Sequence, residues 1–197
     1  MDSVDSRLAY FRLLAEEMLT PERLQHSLGV EALAAELAPK YNIVPDDARL
    51  AALVHDLAKG YSLEEQIRRA KELKLIVYPQ DIENPQVLHG RLAAYMLEHD
   101  YGVGNQDILQ AVANHTLGRP NMSPLEMLIY SADLTEPGRD FPGVDKLRQK
   151  LYHDLREGTL ACVEHTLNYL NMNKKRVHPL TALTYASLKS ECDSKEV

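Results

Sequence analysis

Six side chains able to bind a metal stand among apolar neighbours in this sequence: His26, His55, Asp56, His89, His115 and Asp133. His26 lies between Leu24 and Leu28, and the adjacent pair His55-Asp56 follows Leu50, Leu53 and Val54. His89 follows Val87-Leu88, His115 closes the run AVANH, and Asp133 sits inside MLIYSADL. Charged or strongly polar groups in such surroundings cost several kcal/mol unless something pairs with them. A metal ion pairs with both types at once, because imidazole and carboxylate are ligands for iron, manganese and zinc. Taken singly, each of the six also suits a hydrogen-bonded core residue or a helix cap. Six together in one small domain require a function.

Three cations accompany these segments. Lys59 follows His55 by four residues, one turn along the same helix face. Arg119 follows His115, and Arg139 follows Asp133 in a Pro/Gly-rich loop. Guanidinium and ammonium groups tethered this way suit phosphate, and Gly118, Gly138 and Gly143 beside them allow close backbone approach. The alternative for each cation is a solvated surface charge. Tyr95, Tyr130 or Phe141 could stack an adenine, although core packing is the expected role for any one of them. His99, His153, His165 and His178 have no ligand companion in their segments and are read as surface or capping residues.

The elements that carry these residues are helical. A 3.6-residue apolar period predicts helices over 8–19, 21–37, 45–59, 85–99, 106–115, 124–134, 144–156 and 159–171, with a last one after Pro179. Thr20-Pro21 is an N-cap followed by a proline, and Ser62…Glu65 and Ser123…Glu126 have the spacing of capping boxes. Gly60 is placed to end the third helix. Strand-like alternation is nearly absent, so the fold class is all-α, a bundle of about eight helices. One domain over residues 1–189 is expected, with a polar tail, 190–197, that frays.

Composition narrows the function. The chain has 197 residues, with 22 Lys and Arg against 29 Asp and Glu, giving a formal charge of −7. A general nucleic-acid binder needs the opposite balance to displace counterions from phosphates. A small phosphorylated ligand stays possible, because local cations or metal ions override the mean field. No apolar run is long enough for a membrane span, and the acidic N-terminal MDSVDSRLAYF lacks a signal-peptide pattern. Cys162 and Cys192 form no CxxC motif, so neither a disulfide framework nor a thiolate zinc site is expected. These features describe a cytoplasmic, single-domain protein.

The order H26…H55-D56…H89…H115…D133 resembles the HD-domain superfamily of metal-dependent phosphohydrolases, in the branches that hold two metals. HSLGV (26–30), HDLAK (55–59), LHG (88–90), HTLGRPNMS (115–123) and ADLTEPGRDFPGV (132–144) narrow the likeness to the YqeK family, across about residues 7–185. Ser27 and Leu134-Thr135 depart mildly from that pattern. The resemblance implies hydrolysis of diadenosine tetraphosphate, and related dinucleoside polyphosphates, symmetrically to two ADP. It implies two divalent or trivalent metal ions sharing a hydroxide, with iron as the expected metal, and histidine-rich ligation allows manganese as well. His26, His55, Asp56 and Asp133 would hold the first ion. Asp56 would bridge to the second, completed by His89 and His115. Asp56 and Lys59 would carry the catalysis, and Lys59, Arg119, Arg139, Gly118 and Gly138 would contact the substrate. A homodimer is compatible with this reading. The same metal residues would also serve an HD-type nucleotide phosphatase or phosphodiesterase, or a di-iron oxidase, but the GRP and EPGRDFPGV loops favour the tetraphosphatase.

Overall fold

Prolines and short polar side chains set where the helices begin. Pro21, Pro45, Pro124 and Pro179 each occupy a first helical position, where the missing N–H costs nothing. Thr20, Ser62 and Ser123 each accept a hydrogen bond from the backbone N–H three residues on. At Ser123 the capping box is complete, because Glu126 returns a bond to the Ser123 N–H.

The computed structural model describes residues 4–193. They form α1 (Val4–Met18), α2 (Pro21–Leu37), α3 (Pro45–Val54), α4 (Leu63–Glu72), α5 (Gln80–Glu83), α6 (Leu88–His99), α7 (Gln106–Asn114), α8 (Pro124–Thr135), α9 (Val144–His153), α10 (Leu155–Met172) and α11 (Pro179–Asp193). Short 3-10 turns cover Pro39–Tyr41, Leu57–Gly60 and Pro85–Val87, and the described residues contain no strand. The all-α expectation holds. No described helix is long and apolar enough to cross a membrane.

Helix α3 is the hub of the core. It packs against α1, α2, α7 and α8, and Ala51, Ala52, Leu53 and Val54 have no exposed surface. The α6–α7 pair closes one side, and α10 joins α8, α9 and α11 on the other. Gly90 lets α6 approach α7 closely. A Cβ there would lie 2.9 Å from the carbonyl oxygen of Val112 and 3.0 Å from that of Ala113. That close approach brings His89 on α6 beside His115 at the end of α7.

Four boundaries differ from the sequence reading, each for a local reason. The helix expected over 45–59 ends at Val54, because Asp56 turns out of helical geometry (φ −98°, ψ 4°) before a 3-10 turn. The helix expected from Pro85 starts as a 3-10 turn and becomes regular at Leu88. Asp154 is extended and caps α10, accepting from the N–H groups of Arg156 and Glu157, so the break after α9 falls there. The expected tail is helical as far as Asp193, and its remaining residues lie outside the described ones.

Candidate metal centre

Three of the six candidate ligands stand at helix ends. His55 follows α3, His115 follows α7, and His89 lies in the first turn of α6. Each directs Nδ1 to the carbonyl oxygen three residues back: His55 to Ala52 at 2.6 Å, His89 to Gln86 at 2.6 Å and His115 to Val112 at 2.8 Å. A carbonyl only accepts, so each Nδ1 carries the proton and each Nε2 presents a lone pair. His26 on α2 reaches the same tautomer differently, with Nδ1 3.2 Å from Glu136 Oε1. All four rings are thus fixed by a partner behind them, the usual arrangement behind metal-ligating imidazoles.

The ligand atoms converge. Asp56 Oδ1 lies 3.3 Å from His89 Nε2 and 3.5 Å from both His55 Nε2 and His115 Nε2. Asp133 Oδ1 lies 2.9 Å from His26 Nε2 and 3.9 Å from His55 Nε2. Three overlapping groups arise: His26, His55 and Asp56; His55, His115 and Asp133; Asp56, His89 and His115. Ligand atoms about 2.1 Å from one ion at right angles are about 3 Å apart, which is the spacing seen.

Two observations show that this donor set fits cations. His26 Nε2 and His55 Nε2 are buried and have no hydrogen-bond partner, and buried Asp56 Oδ1 is met by the Lys59 ammonium of an ion pair. His89 Nε2 and His115 Nε2 lie only 2.9 Å apart. With both Nδ1 protons given to carbonyls, that contact sets lone pair against lone pair, a repulsion that a cation between them would relieve. The protonation states agree. Burial lowers His55 to about 4 and lowers His89 as well, so both are neutral. Burial alone would raise Asp56 and Asp133. Against it, the imidazoles around them, His55 first for Asp56 and His26 first for Asp133, hold both below the usual carboxylate range. Neutral imidazole and ionised carboxylate are the forms that bind metal.

The expected phosphate contacts divide. Lys59 does not continue a helix face, but its Nζ lies 2.9 Å from both Asp56 oxygens. Arg139 reaches Asp133, with Nη2 2.8 Å from Oδ1 and Nε 2.9 Å from the carbonyl oxygen. Arg119 is committed elsewhere: Nε and Nη2 each lie 2.6 Å from an oxygen of buried Glu126, and Nη1 bonds the Pro120 carbonyl. Gly118, at φ +67°, faces α11, where a Cβ would run into the Thr184 side chain. The aromatic candidates also serve packing: Tyr130 is buried, Tyr95 stacks on His99 and Phe141 packs on His165.

Three residues at the site were not singled out from sequence. Arg23 Nη1 lies 3.4 Å from Asp56 Oδ2. Glu136 orients His26, and the Thr116 hydroxyl lies 3.2 Å from His89 Nε2 and 3.1 Å from His115 Nε2. Arg23 sits three residues before His26 and Thr116 directly follows His115, so adjacency was the available signal.

The family model described as "HD domain" matches residues 23–138, a stretch that includes all six candidate ligands. The chain belongs to the HD-domain family. Among HD-domain relatives, a Bacillus subtilis (strain 168) protein named "Bis(5'-nucleosyl)-tetraphosphatase, symmetrical" is 37% identical over 170 residues, covering 86% of this chain and 91% of that one. A Halalkalibacterium halodurans protein of the same name is 36% identical over 89% of this chain and 93% of its own. A crystal structure from Clostridium acetobutylicum, titled as a predicted HD superfamily hydrolase involved in NAD metabolism, superposes with a TM-score of 0.89. It is 36% identical and covers 93% of this HD protein and 97% of its own chain.

Proposed function

We propose that this HD-domain protein hydrolyses diadenosine tetraphosphate, and related dinucleoside polyphosphates, symmetrically to two ADP. The observation that carries this reading is the near full-length similarity to proteins named for that activity, joined to a buried His/Asp cluster that fits metal. His26, His55, Asp56 and Asp133 would hold one divalent ion, and Asp56, His89 and His115 would hold a second. Iron is the proposed metal, with manganese able to replace it, since histidine-rich sites completed by oxygen suit both. When bound, such a pair polarises phosphoryl oxygens and allows water to attack phosphorus at neutral pH.

The chain's own residues do the rest. Asp56 Oδ1 faces the imidazoles, Oδ2 faces Arg23, and Lys59 lies against both oxygens. A tetraphosphate arriving over Asp56 therefore meets two cations that offset its charge. Arg139 offers a third beside Asp133. Attack at one β-phosphorus breaks the bridge to the other, and the departing ADP leaves with extra negative charge that these cations stabilise. Chromatography of products from a panel of dinucleoside tetraphosphates tests the reading with metal-loaded protein. Nucleoside diphosphates as sole products support it, and equimolar AMP and ATP as first products overturn it.

A further inference from the structure

Two cavities flank the metal cluster, and they share one wall. The first, about 520 Å³, is lined by Arg23, Lys59, Gln66, Asn84, His89 and Thr116 among others. The second, about 490 Å³, is lined by Arg23, Gln25, His26, Glu136, Gly138 and Arg139 among others. Arg23 belongs to both, and its Nη1 stands 3.4 Å from Asp56, the carboxylate at the middle of the cluster. Each cavity touches a ligand from a different end of the cluster, His89 in one and His26 in the other. Each also has its own cation, Lys59 in the first and Arg139 in the second.

A dinucleoside tetraphosphate has the same plan: two nucleoside diphosphate halves joined at a central bridge. Each cavity falls in the size range that encloses a ligand as large as a nucleotide. We infer that the two cavities are paired half-sites, each holding one nucleoside diphosphate moiety, with Arg23 between them at the scissile bridge. This rests on the tetraphosphatase reading above. The second cavity also contains Glu22 and Glu136. Glu136 is engaged by His26 and the Gly138 N–H, Glu22 is exposed, and Arg23 and Arg139, each paired with one carboxylate of the cluster, are the cations that meet phosphate there. The linings differ. Gln66, Asn84, Gln86 and Tyr61 offer amides and a ring in the first cavity, whereas Gln25, Pro137 and Gly138 form a plainer second one. The halves of the site are thus equivalent in task and unlike in chemistry.

The test is equilibrium dialysis of labelled ADP against manganese-loaded protein, with metal per chain measured in parallel. The wild type should bind two ADP per chain at saturation. Asn84 and Gln25 are exposed at the cavity rims. Asn84→Trp and Gln25→Trp should each reduce the count to one, at unchanged metal content and unchanged melting temperature. The wild-type count needs no variant to fold. One ADP per chain in a wild type that still releases only ADP would overturn the paired half-sites and leave the function intact. Two ADP retained by Gln25→Trp would overturn them too. AMP and ATP as products would overturn the function, and the half-sites with it.

Discussion

His26 turns its Nδ1 to the Glu136 carboxylate, 3.2 Å away and 110 residues along the chain. Of the four clustered imidazoles it is the one held by a side chain; His55, His89 and His115 use the carbonyl three residues back. A carboxylate behind an imidazole raises the basicity of the opposite nitrogen as well as fixing the ring. Glu136→Ala should therefore weaken one of the two ions by about 10–100-fold. Glu136→Gln, which keeps an acceptor, should fall between. Chelator competition followed by elemental analysis measures this. Equal metal retention in wild type and Glu136→Ala would show that the contact is incidental.

The proposed second ion would rest on two imidazoles from different segments, His89 on α6 and His115 at the end of α7. His89→Ala or His115→Ala should leave about one metal per chain where the wild type holds about two, with the fold retained and hydrolysis very poor. Asp56→Ala should disturb both ions, because its Oδ1 lies within reach of three imidazoles. Metal per chain and thermal unfolding, measured together, distinguish these outcomes. Full occupancy and near-normal rates in both histidine variants would reduce the centre to one ion.

Arg119 and Arg139 looked alike in sequence and part company in the fold. Arg119 holds Glu126, which is 1% exposed and also caps α8. Arg119→Ala should cost about 1–3 kcal/mol by leaving that carboxylate short of donors. The melting temperature should drop by several degrees while substrate affinity is kept. Arg139→Ala should instead lower the hydrolysis rate roughly 10²–10⁴-fold at full metal content. The reverse pattern, Arg119→Ala inactive and Arg139→Ala merely unstable, would exchange the two roles.

How much was legible follows from where each signal lives. Helix starts were visible because Thr20-Pro21 and Ser123-Pro124 carry their caps locally. The six candidate ligands were visible because ionisable residues inside apolar runs are costly. The stop at His55 was hidden: the apolar period runs on to Gly60, and only the turn at Asp56 shows that it breaks. Partners far apart in sequence were hidden as well. His178 had no companion near Pro179, yet its Nε2 lies 3.1 Å from buried Asp81, while Leu180 N–H donates to its Nδ1. Asp81 in turn accepts from Arg91 and from the N–H groups of Val77 and Tyr78. His178 thus ties α11 to the segment leading into α6, a structural task that no local pattern announced.

Burial also fixes how the metal-free protein responds to acid. It lowers His55 to about 4, and it lowers His89 and His178 in the same direction. The unfolded chain then takes up protons near 6.5 while the folded one does not, so stability falls as pH drops below about 6.5. The melting temperature of the metal-free protein should decrease steadily from pH 7.5 to pH 5. A flat or rising profile would mean that these imidazoles are charged in the fold.

Isotope transfer from water tests the central claim most directly, because it reports where the bond is made. Metal-loaded protein is given diadenosine tetraphosphate in oxygen-18 water, and the products are resolved by mass spectrometry. The expected result is ADP alone, with one oxygen-18 per turnover in a β-phosphate and none in an α-phosphate. Label in the α-phosphate of AMP, accompanied by ATP, would contradict symmetrical hydrolysis at this centre.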